Sequence, residues 1–161
     1  MRYLVVGGVA VNLYGYLRYT GDVDLLVPFD DENLKKIKSI IDKIDGIDVL
    51  VEKSRKFDEF FAKKLVKRCD NVRIPVVSIE DLIVTKRKKA DFFNRMDRLV
   101  LKVIVDLKNG GLNAESMVKN EFDLEALKFW IKSSTRSRLD WLDSALKFGK
   151  QFELKGKVKK S

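Results

Sequence analysis

The N-terminal half of the chain alternates short β-rich runs with segments whose apolar residues recur at helical spacing. Residues 3–6, 22–27, 47–51 and 72–77 have the composition of strands, and helix-like segments lie between them. Strands that alternate with helices in this way build a sheet with helical crossover connections. The pattern therefore predicts an α/β fold for this half of the chain.

The helix boundaries follow from capping residues and glycines. Asp30 or Asp31 can cap a helix whose apolar residues recur every three or four positions, and Gly46 is expected to end it. Phenylalanines and Leu65 in residues 57–65 indicate a further amphipathic helix. Pro75 lies inside the fourth predicted strand, and a proline there favours an edge position in the sheet.

The C-terminal part is helical in pattern. A helix is predicted from about residue 91, with apolar residues at helical spacing up to the break at Asn109-Gly110-Gly111. Two more helices are expected near residues 120–132 and 136–153, followed by a basic tail over 155–161. We therefore expect an α/β core in residues 1–90, a helical region in 91–161, and a connector over 109–119.

Composition excludes several classes of site. The 161 residues contain no histidine and one cysteine, Cys69, so histidine-based catalysis, histidine-ligated metals and internal disulfides are excluded. The net charge of +9 favours partners that carry phosphate. No apolar run is long enough for a membrane span, and the N-terminus lacks the pattern of a signal peptide, so we expect a cytoplasmic protein.

Gly7 and Gly8 occur where the first predicted strand hands over to a helix. Glycine lets backbone amides approach a bulky anion, and a helix N-terminus favours negative charge. The pair matches neither a P-loop nor a dinucleotide-binding fingerprint. It is therefore either part of a phosphate site or a tight turn between strand and helix.

Asp22 and Asp24 are separated by one residue in the second predicted strand, so their side chains share one face. Two neighbouring carboxylates repel each other unless a cation lies between them or one takes up a proton. Aspartate is also disfavoured in strands. Mg²⁺ binds through one or two carboxylates together with substrate phosphates, so this pair is a candidate metal site; the alternative is a solvated strand face.

Asp48 is the candidate third carboxylate, because it lies on the polar face of the third predicted strand. If that strand neighbours the strand of Asp22 and Asp24, three carboxylates meet on one face of the sheet. Three such ligands suit a two-metal site for transfer to a phosphate. The alternative is an aspartate exposed to water.

The stretch G-G-V-A-V-N-L-Y-G-Y-L-R-Y-T-G-D-V-D-L at residues 7–25 resembles the signature of the polymerase-β-like nucleotidyltransferase superfamily. It is closest to prokaryotic nucleotidyltransferase-like proteins that include abortive-infection toxins of toxin–antitoxin pairs. The resemblance covers roughly residues 3–104. It implies a mixed sheet flanked by helices, and Asp48 matches the third carboxylate of the family.

The resemblance also implies roles for other residues. Asp22, Asp24 and Asp48 would be catalytic and would hold two Mg²⁺ ions, and Gly7, Gly8, Arg18, Thr20 and Lys86 would bind the NTP. Lys86 lies on the inward side of its helix, where a lysine needs an anionic partner or must extend to solvent. Asp97 matches a later aspartate of the family, but a structural ion pair is the preferred interpretation.

The sequence therefore predicts a Mg²⁺-dependent nucleotidyltransferase that moves a nucleoside monophosphate from an NTP to an acceptor hydroxyl. The lysines near the C-terminus favour RNA as the acceptor, although such runs are more commonly solvated helix and tail. The alternative is a non-catalytic protein on the same scaffold that binds its partner in a toxin–antitoxin pair. A basic RNA-binding module without catalysis ranks last, because no strand is rich in aromatic residues.

Overall fold

The computed structural model describes residues 1–86, 91–111 and 122–158, and the side chains as far as residue 150. This part of the chain forms a mixed α/β structure with a five-stranded sheet and seven helices. The strands run in the order β3-β2-β1-β5-β4. Their bounds are β1 Leu4–Val5, β2 Val23–Pro28, β3 Ile47–Glu52, β4 Leu65–Cys69 and β5 Val72–Val76.

The sheet mixes parallel and antiparallel pairs. β2 and β3 are parallel, as are β1 and β5, while β1–β2 and β4–β5 are antiparallel. The helices are α1 Gly7–Tyr14, α2 Asp31–Ile41, α3 Lys56–Ala62, α4 Ile79–Thr85, α5 Phe92–Lys108, α6 Leu124–Lys132 and α7 Thr135–Val158. The predicted fold class, with a helical C-terminal part, is confirmed.

The core lies around the short central strand β1 and helix α1. Leu4 and Val5 are both buried, and seven of the eight residues of α1 are buried as well. Val76 and Leu101 join the same apolar cluster from β5 and α5. Because α1 is buried along almost its whole length, its N-terminus is held in a fixed position against the sheet.

The edge of the sheet differs from the prediction. The helix α3 ends at Ala62, and Leu65–Cys69 forms a strand, β4, that the helical spacing of the phenylalanines concealed. β4 is the edge strand, and β5 pairs on both sides, so the edge position expected from Pro75 is wrong. The proline is tolerated because β5 meets β1 only at the Val5–Val76 pair, so no ladder bond to β1 is required from Pro75.

Two boundaries near the carboxylates also shift. β2 begins at Val23, so Asp22 lies just before the strand rather than within it. The helix α2 is capped by Asp30, which accepts a hydrogen bond from the Asn33 amide, and it ends at Ile41 rather than at Gly46. Gly46 has a φ of +77° and its carbonyl accepts a hydrogen bond from Val23, so this glycine sets the entry to β3.

Arg138 joins the helical C-terminal part to α1. It is buried, and its guanidinium donates hydrogen bonds to four backbone carbonyl oxygens, including that of Leu13 at 2.6 Å. The other three carbonyls lie at the C-terminal end of α6 and just beyond it. Arg138 thus satisfies the unpaired carbonyls at one helix end while it fixes α7 to the core.

Several predictions for the C-terminal part can be compared with the structure. α5 begins after Asp91 and ends at Lys108, as expected from its cap and from the glycines that follow. α6 and α7 correspond to the two later predicted helices, and α7 continues to Val158. Residues 112–119 of the expected connector and residues 159–161 of the basic tail lie outside the described residues. Across the described ranges, no helix is both long enough and apolar enough to cross a membrane.

Candidate active site

Asp24 and Asp48 are direct neighbours in the sheet. They are partners in the parallel register of β2 and β3, so their side chains lie side by side on the same face. Burial raises the pKa of Asp24 above its ordinary value of 3.8, and the charge of Asp48 raises it further. The structure therefore brings together the two carboxylates that strand parity and the family resemblance paired.

Asp22 lies close to this pair but is not part of the ladder. Its charge adds a smaller increase to the pKa of Asp24. The hydroxyl of Thr20 lies 3.4 Å from the carbonyl oxygen of Asp22. Within the described ranges, no three acidic, histidine or cysteine side chains are grouped so as to hold a metal ion. The three-carboxylate metal site accordingly stays a prediction.

Gly7 and Gly8 are required by close approaches at the N-terminus of α1. Gly7 has a φ of +64°, and a Cβ atom there would lie 1.7 Å from Oδ2 of Asp24. A Cβ atom on Gly8 would lie 2.5 Å from Oγ1 of Thr20. The cap residue Val6 supplies no side-chain hydrogen bond to the first turn. The start of α1 is therefore in close contact with Asp24 and Thr20, and a hydrogen bond from the Gly8 backbone lowers the pKa of Asp24.

Two cations that share one buried carboxylate line the same space. Arg18 makes a bidentate contact with Asp97, with distances of 2.8 Å from Nε to Oδ1 and 2.9 Å from Nη2 to Oδ2. Lys86 Nζ lies 2.7 Å from Oδ2 of the same carboxylate. The Asp97 side chain has no exposure to solvent. This confirms the ion-pair interpretation of Asp97, and it gives Lys86 the anionic partner that its inward position required.

These elements enclose a cleft of about 330 Å³. Its lining includes every residue predicted to bind the nucleotide together with Asp24, whereas Asp22 and Asp48 are not among the lining residues. Lys86 is near enough to Asp24 to lower its pKa, which opposes the effect of burial. The cleft thus places backbone amides, two cations and a carboxylate around one space. The lining residues are Val6, Gly7, Gly8, Arg18, Thr20, Asp24, Leu26, Leu50, Thr85, Lys86, Phe93 and Asn94.

A larger cavity of about 650 Å³ adjoins this cleft. The two share Arg18, Thr20 and Phe93 in their walls, so they lie next to each other. Aromatic side chains dominate the larger cavity, and two of them, Phe92 and Phe93, are 61% and 67% exposed. Large exposed rings beside a cleft are unusual in a monomer and mark a surface that can receive a ligand.

Sequence reasoning missed two features of the site. The helical spacing of α5 groups Phe93 with the apolar residues that follow it, but the structure leaves this side chain exposed and lining both cavities. The buried side chain of Asn12 was not singled out; its amide pairs with both backbone groups of Arg18, at 2.9 Å each, and so sets the position of that arginine. A polar residue within the otherwise apolar sequence of α1 was the available signal for Asn12.

The fold and the cleft can now be compared with known proteins. A search of curated proteins finds no match to this chain. A family model described as a nucleotidyltransferase of unknown function (DUF6036) matches residues 1–144. The match spans the sheet, the cleft and most of the helical region, and it agrees with the general nucleotidyltransferase character indicated by the Gly-Gly and Asp-x-Asp motifs. The chain therefore belongs to this nucleotidyltransferase family.

Proposed function

We propose that the protein transfers a nucleoside monophosphate from an NTP to an acceptor hydroxyl and releases pyrophosphate. The observation that carries this proposal is the register pairing of Asp24 with Asp48, in which Asp24 lines the same cleft as the start of α1 and two cations. A protein that merely binds a partner has no use for adjacent carboxylates that repel each other. The non-catalytic alternative has no comparable observation in its favour.

The carboxylates suit Mg²⁺ in their chemistry. Asp24 and Asp48 are oxygen donors on one face. Burial and then the charge of Asp48 raise the pKa of Asp24, and a bound cation would favour its ionised form. Asp24 and Asp48 would hold the metal, with Asp22 as a further ligand from the start of β2. Bound Mg²⁺ would neutralise negative charge on the phosphates during transfer.

The start of α1 together with Arg18 and Lys86 would hold the phosphates of the NTP. Gly7 and Gly8 line the cleft at the start of α1, and a helix N-terminus favours a bound anion. Arg18 and Lys86 together carry two positive charges against the single charge of Asp97, so the wall keeps a net positive charge. Preorganised cations of this kind bind phosphate oxygens without reorganisation during the reaction.

Asp48 is the best-placed group to accept the proton of the attacking hydroxyl. It is exposed, whereas its partner Asp24 is partly buried against Gly7. An exposed carboxylate next to the reacting phosphate can be reached by an incoming acceptor, and proton acceptance by a positioned side chain is a common contribution to such reactions. Catalysis would otherwise come from positioning and charge neutralisation.

The aromatic cavity would hold the base of the nucleotide. It adjoins the phosphate cleft at Arg18, Thr20 and Phe93, so one ligand can extend from one space into the other. Every nucleobase has a π face, and stacking on an aromatic side chain contributes about 1–3 kcal/mol per base. Phe93 lines both spaces and is the natural stacking partner.

The decisive experiment is incubation with each α-labelled NTP, Mg²⁺ and total RNA, followed by detection of label on an acceptor. The wild-type protein is expected to transfer label, and Asp24→Asn is expected to lose transfer because it removes the charge of the carboxylate pair. Asp45→Asn is the matched control, since Asp45 is an exposed aspartate that lines neither cavity. NTP binding without transfer to RNA, protein or small hydroxyl compounds would favour the non-catalytic alternative.

A further inference from the structure

The β4–β5 hairpin carries a dense group of positive charges at the edge of the sheet. Residues 63–73 contain five basic residues and one acidic residue, Asp70. The two strands pair in antiparallel register through a two-residue turn at Asp70 and Asn71. β4 has no neighbour on its outer side within the sheet. The hairpin is therefore a basic ribbon with one free edge.

Three of the five cations are occupied within the molecule. Lys63 lies 3.8 Å from a carboxylate oxygen of Asp81. Lys64 and Lys67 each lie over an aromatic ring, at 3.9 and 5.1 Å from the ring centroids. Burial, together with the nearby charges of Lys108 and Arg138, lowers the pKa of Lys67 to about 8. The three lysines thus have partners within the molecule. The hairpin also lies near Lys108 and Arg138, so positive charge is concentrated in this region.

The two arginines of the hairpin differ from the lysines. Arg68 and Arg73 are direct register partners, and both are exposed. Among the described residues, neither of these two side chains takes part in a hydrogen bond, an ion pair or a ring contact. The acidic residue of the turn is not available to them, because Asp70 is held by Arg136 at 2.6 Å. Two like charges directly opposite in a ladder repel each other, so this pair calls for an anion from outside the fold.

We propose that Arg68 and Arg73 bind phosphate groups of a nucleic acid backbone and thereby hold the acceptor of the transfer reaction. This inference rests on the proposed function, since it names the class of acceptor. A guanidinium group forms paired hydrogen bonds to phosphate. Because both arginine side chains are exposed on the hairpin, they can bind phosphate without breaking contacts within the protein. A nucleic acid strand offers successive phosphates, so both arginines can be engaged by one ligand.

Nucleic acid fits this surface better than an acidic protein does. The chain carries a net charge of +9, which attracts a polyanion from a distance. The proposed reaction needs an acceptor hydroxyl, and a nucleic acid supplies one at its ribose ends. When the terminal hydroxyl of a nucleic acid strand enters the cleft, the phosphates that precede it lie outside the cleft. The hairpin is a separate element and can bind those phosphates.

The test measures binding of a labelled single-stranded RNA of about 20 nucleotides by fluorescence anisotropy over a series of salt concentrations. The variant R68Q/R73Q removes both charges, and the control K35Q/K38Q removes two charges from exposed lysines of α2. We expect the hairpin variant to bind about tenfold more weakly, and its salt dependence to fall by about 1.4, or 0.7 for each lost phosphate contact. The control variant is expected to change affinity less than twofold.

Three outcomes would overturn the proposal. These are unchanged RNA affinity in R68Q/R73Q, an equal loss in both variants, and competition by poly-glutamate as effective as that by RNA, which would assign the surface to an acidic protein. Single-stranded DNA of the same sequence distinguishes the two nucleic acids. Binding of NTP with Mg²⁺, measured by calorimetry, should be the same in R68Q/R73Q as in wild type, so failure of the hairpin proposal is distinguishable from failure of the proposed function. A melting curve for each variant checks that the fold is retained.

Discussion

Lys86 Nζ lies 2.7 Å from Oδ2 of Asp97, a carboxylate without solvent exposure that also receives two hydrogen bonds from Arg18. The carboxylate therefore holds both cations of the cleft wall in place. Each cation has two tasks, because it neutralises Asp97 within the protein and faces the space where we place the phosphates. Stability and ligand binding are consequently coupled through one side chain.

Asp97→Asn is expected to destabilise the free protein strongly. Loss of the carboxylate charge leaves two cations, whose side chains are 21% and 11% exposed, without an anionic partner. Removal of one member of a buried ion pair typically costs about 3–5 kcal/mol, and partial access to water places this variant near the lower value. Urea denaturation measures the change. Asp140→Asn, on the exposed side of α7, should stay within about 0.5 kcal/mol of wild type.

Lys86→Met is expected to weaken NTP binding about tenfold in the presence of Mg²⁺, since one positive charge of the cleft wall is lost. Methionine keeps much of the aliphatic length, so packing changes little. Isothermal titration calorimetry at a temperature where both proteins are folded gives the comparison. Lys102→Met removes an exposed lysine of the same region from a position outside the cleft and should bind as wild type does. Equal affinity in Lys86→Met would restrict Lys86 to its ion pair with Asp97.

Asp24→Asn is expected to stabilise the free protein slightly while it abolishes transfer. Because burial and Asp48 raise the pKa of folded Asp24, its ionised form costs stability at neutral pH. The cost is absent below the ordinary value of 3.8 and develops as the pH rises through the folded pKa. The gain should be at most about 1 kcal/mol, since water reaches the group and screens the repulsion.

Melting curves of wild type and Asp24→Asn between pH 3 and 8 would check this dependence. The difference in melting temperature between the two proteins should appear as the pH rises above the ordinary aspartate pKa and should become constant at higher pH. Added Mg²⁺ with NTP should reverse the order, because the wild type alone gains the full free energy of binding. A variant that melts far below wild type without ligand would make Asp24 a structural residue and remove the main support for a metal site.

Gly7→Ala is expected to damage both the fold and the cleft. The added Cβ would meet Oδ2 of Asp24, and alanine would have to adopt a φ of +64°. A positive φ costs about 1–2 kcal/mol for a residue other than glycine, and the steric conflict adds to this. Gly21→Ala is the matched control, because no atom lies within 4 Å of its Cβ position and its φ is not in the left-handed region. Thermal denaturation of both variants compares them, and similar melting temperatures would show that the strand–helix junction tolerates a side chain.

Some of this site follows from residue order alone. Strand parity places Asp24 on the polar face of β2, and a short crossover helix makes β3 its parallel neighbour, which leads to the pairing with Asp48. The role of Gly7 also follows, because a strand and a helix joined without a loop leave no room for a side chain. Sequence pattern alone therefore predicts contacts between residues that are close in sequence or that belong to one strand–helix–strand crossover.

Long-range packing determines the rest. The bond between Arg18 and Asp97 joins residues 79 positions apart, and no periodicity connects them. Phe93 shares the helical spacing of its neighbours but turns to the cavities, because the N-terminal turn of α5 extends beyond the core. β4 was missed for a similar reason, since Leu65 continues the helical spacing of the phenylalanines in α3 but pairs with Val76 of β5.

The contact between Arg138 and the Leu13 carbonyl spans 125 positions of sequence and has a consequence for synthesis of the protein. A nascent chain completes the sheet and the cleft-lining residues before Arg138 has been polymerised. Until then the C-terminal end of α1, whose opposite end borders Asp24, lacks this anchor. The anchor at the C-terminal end of α1 can therefore form only after the residues of the sheet and of the cleft have been synthesised.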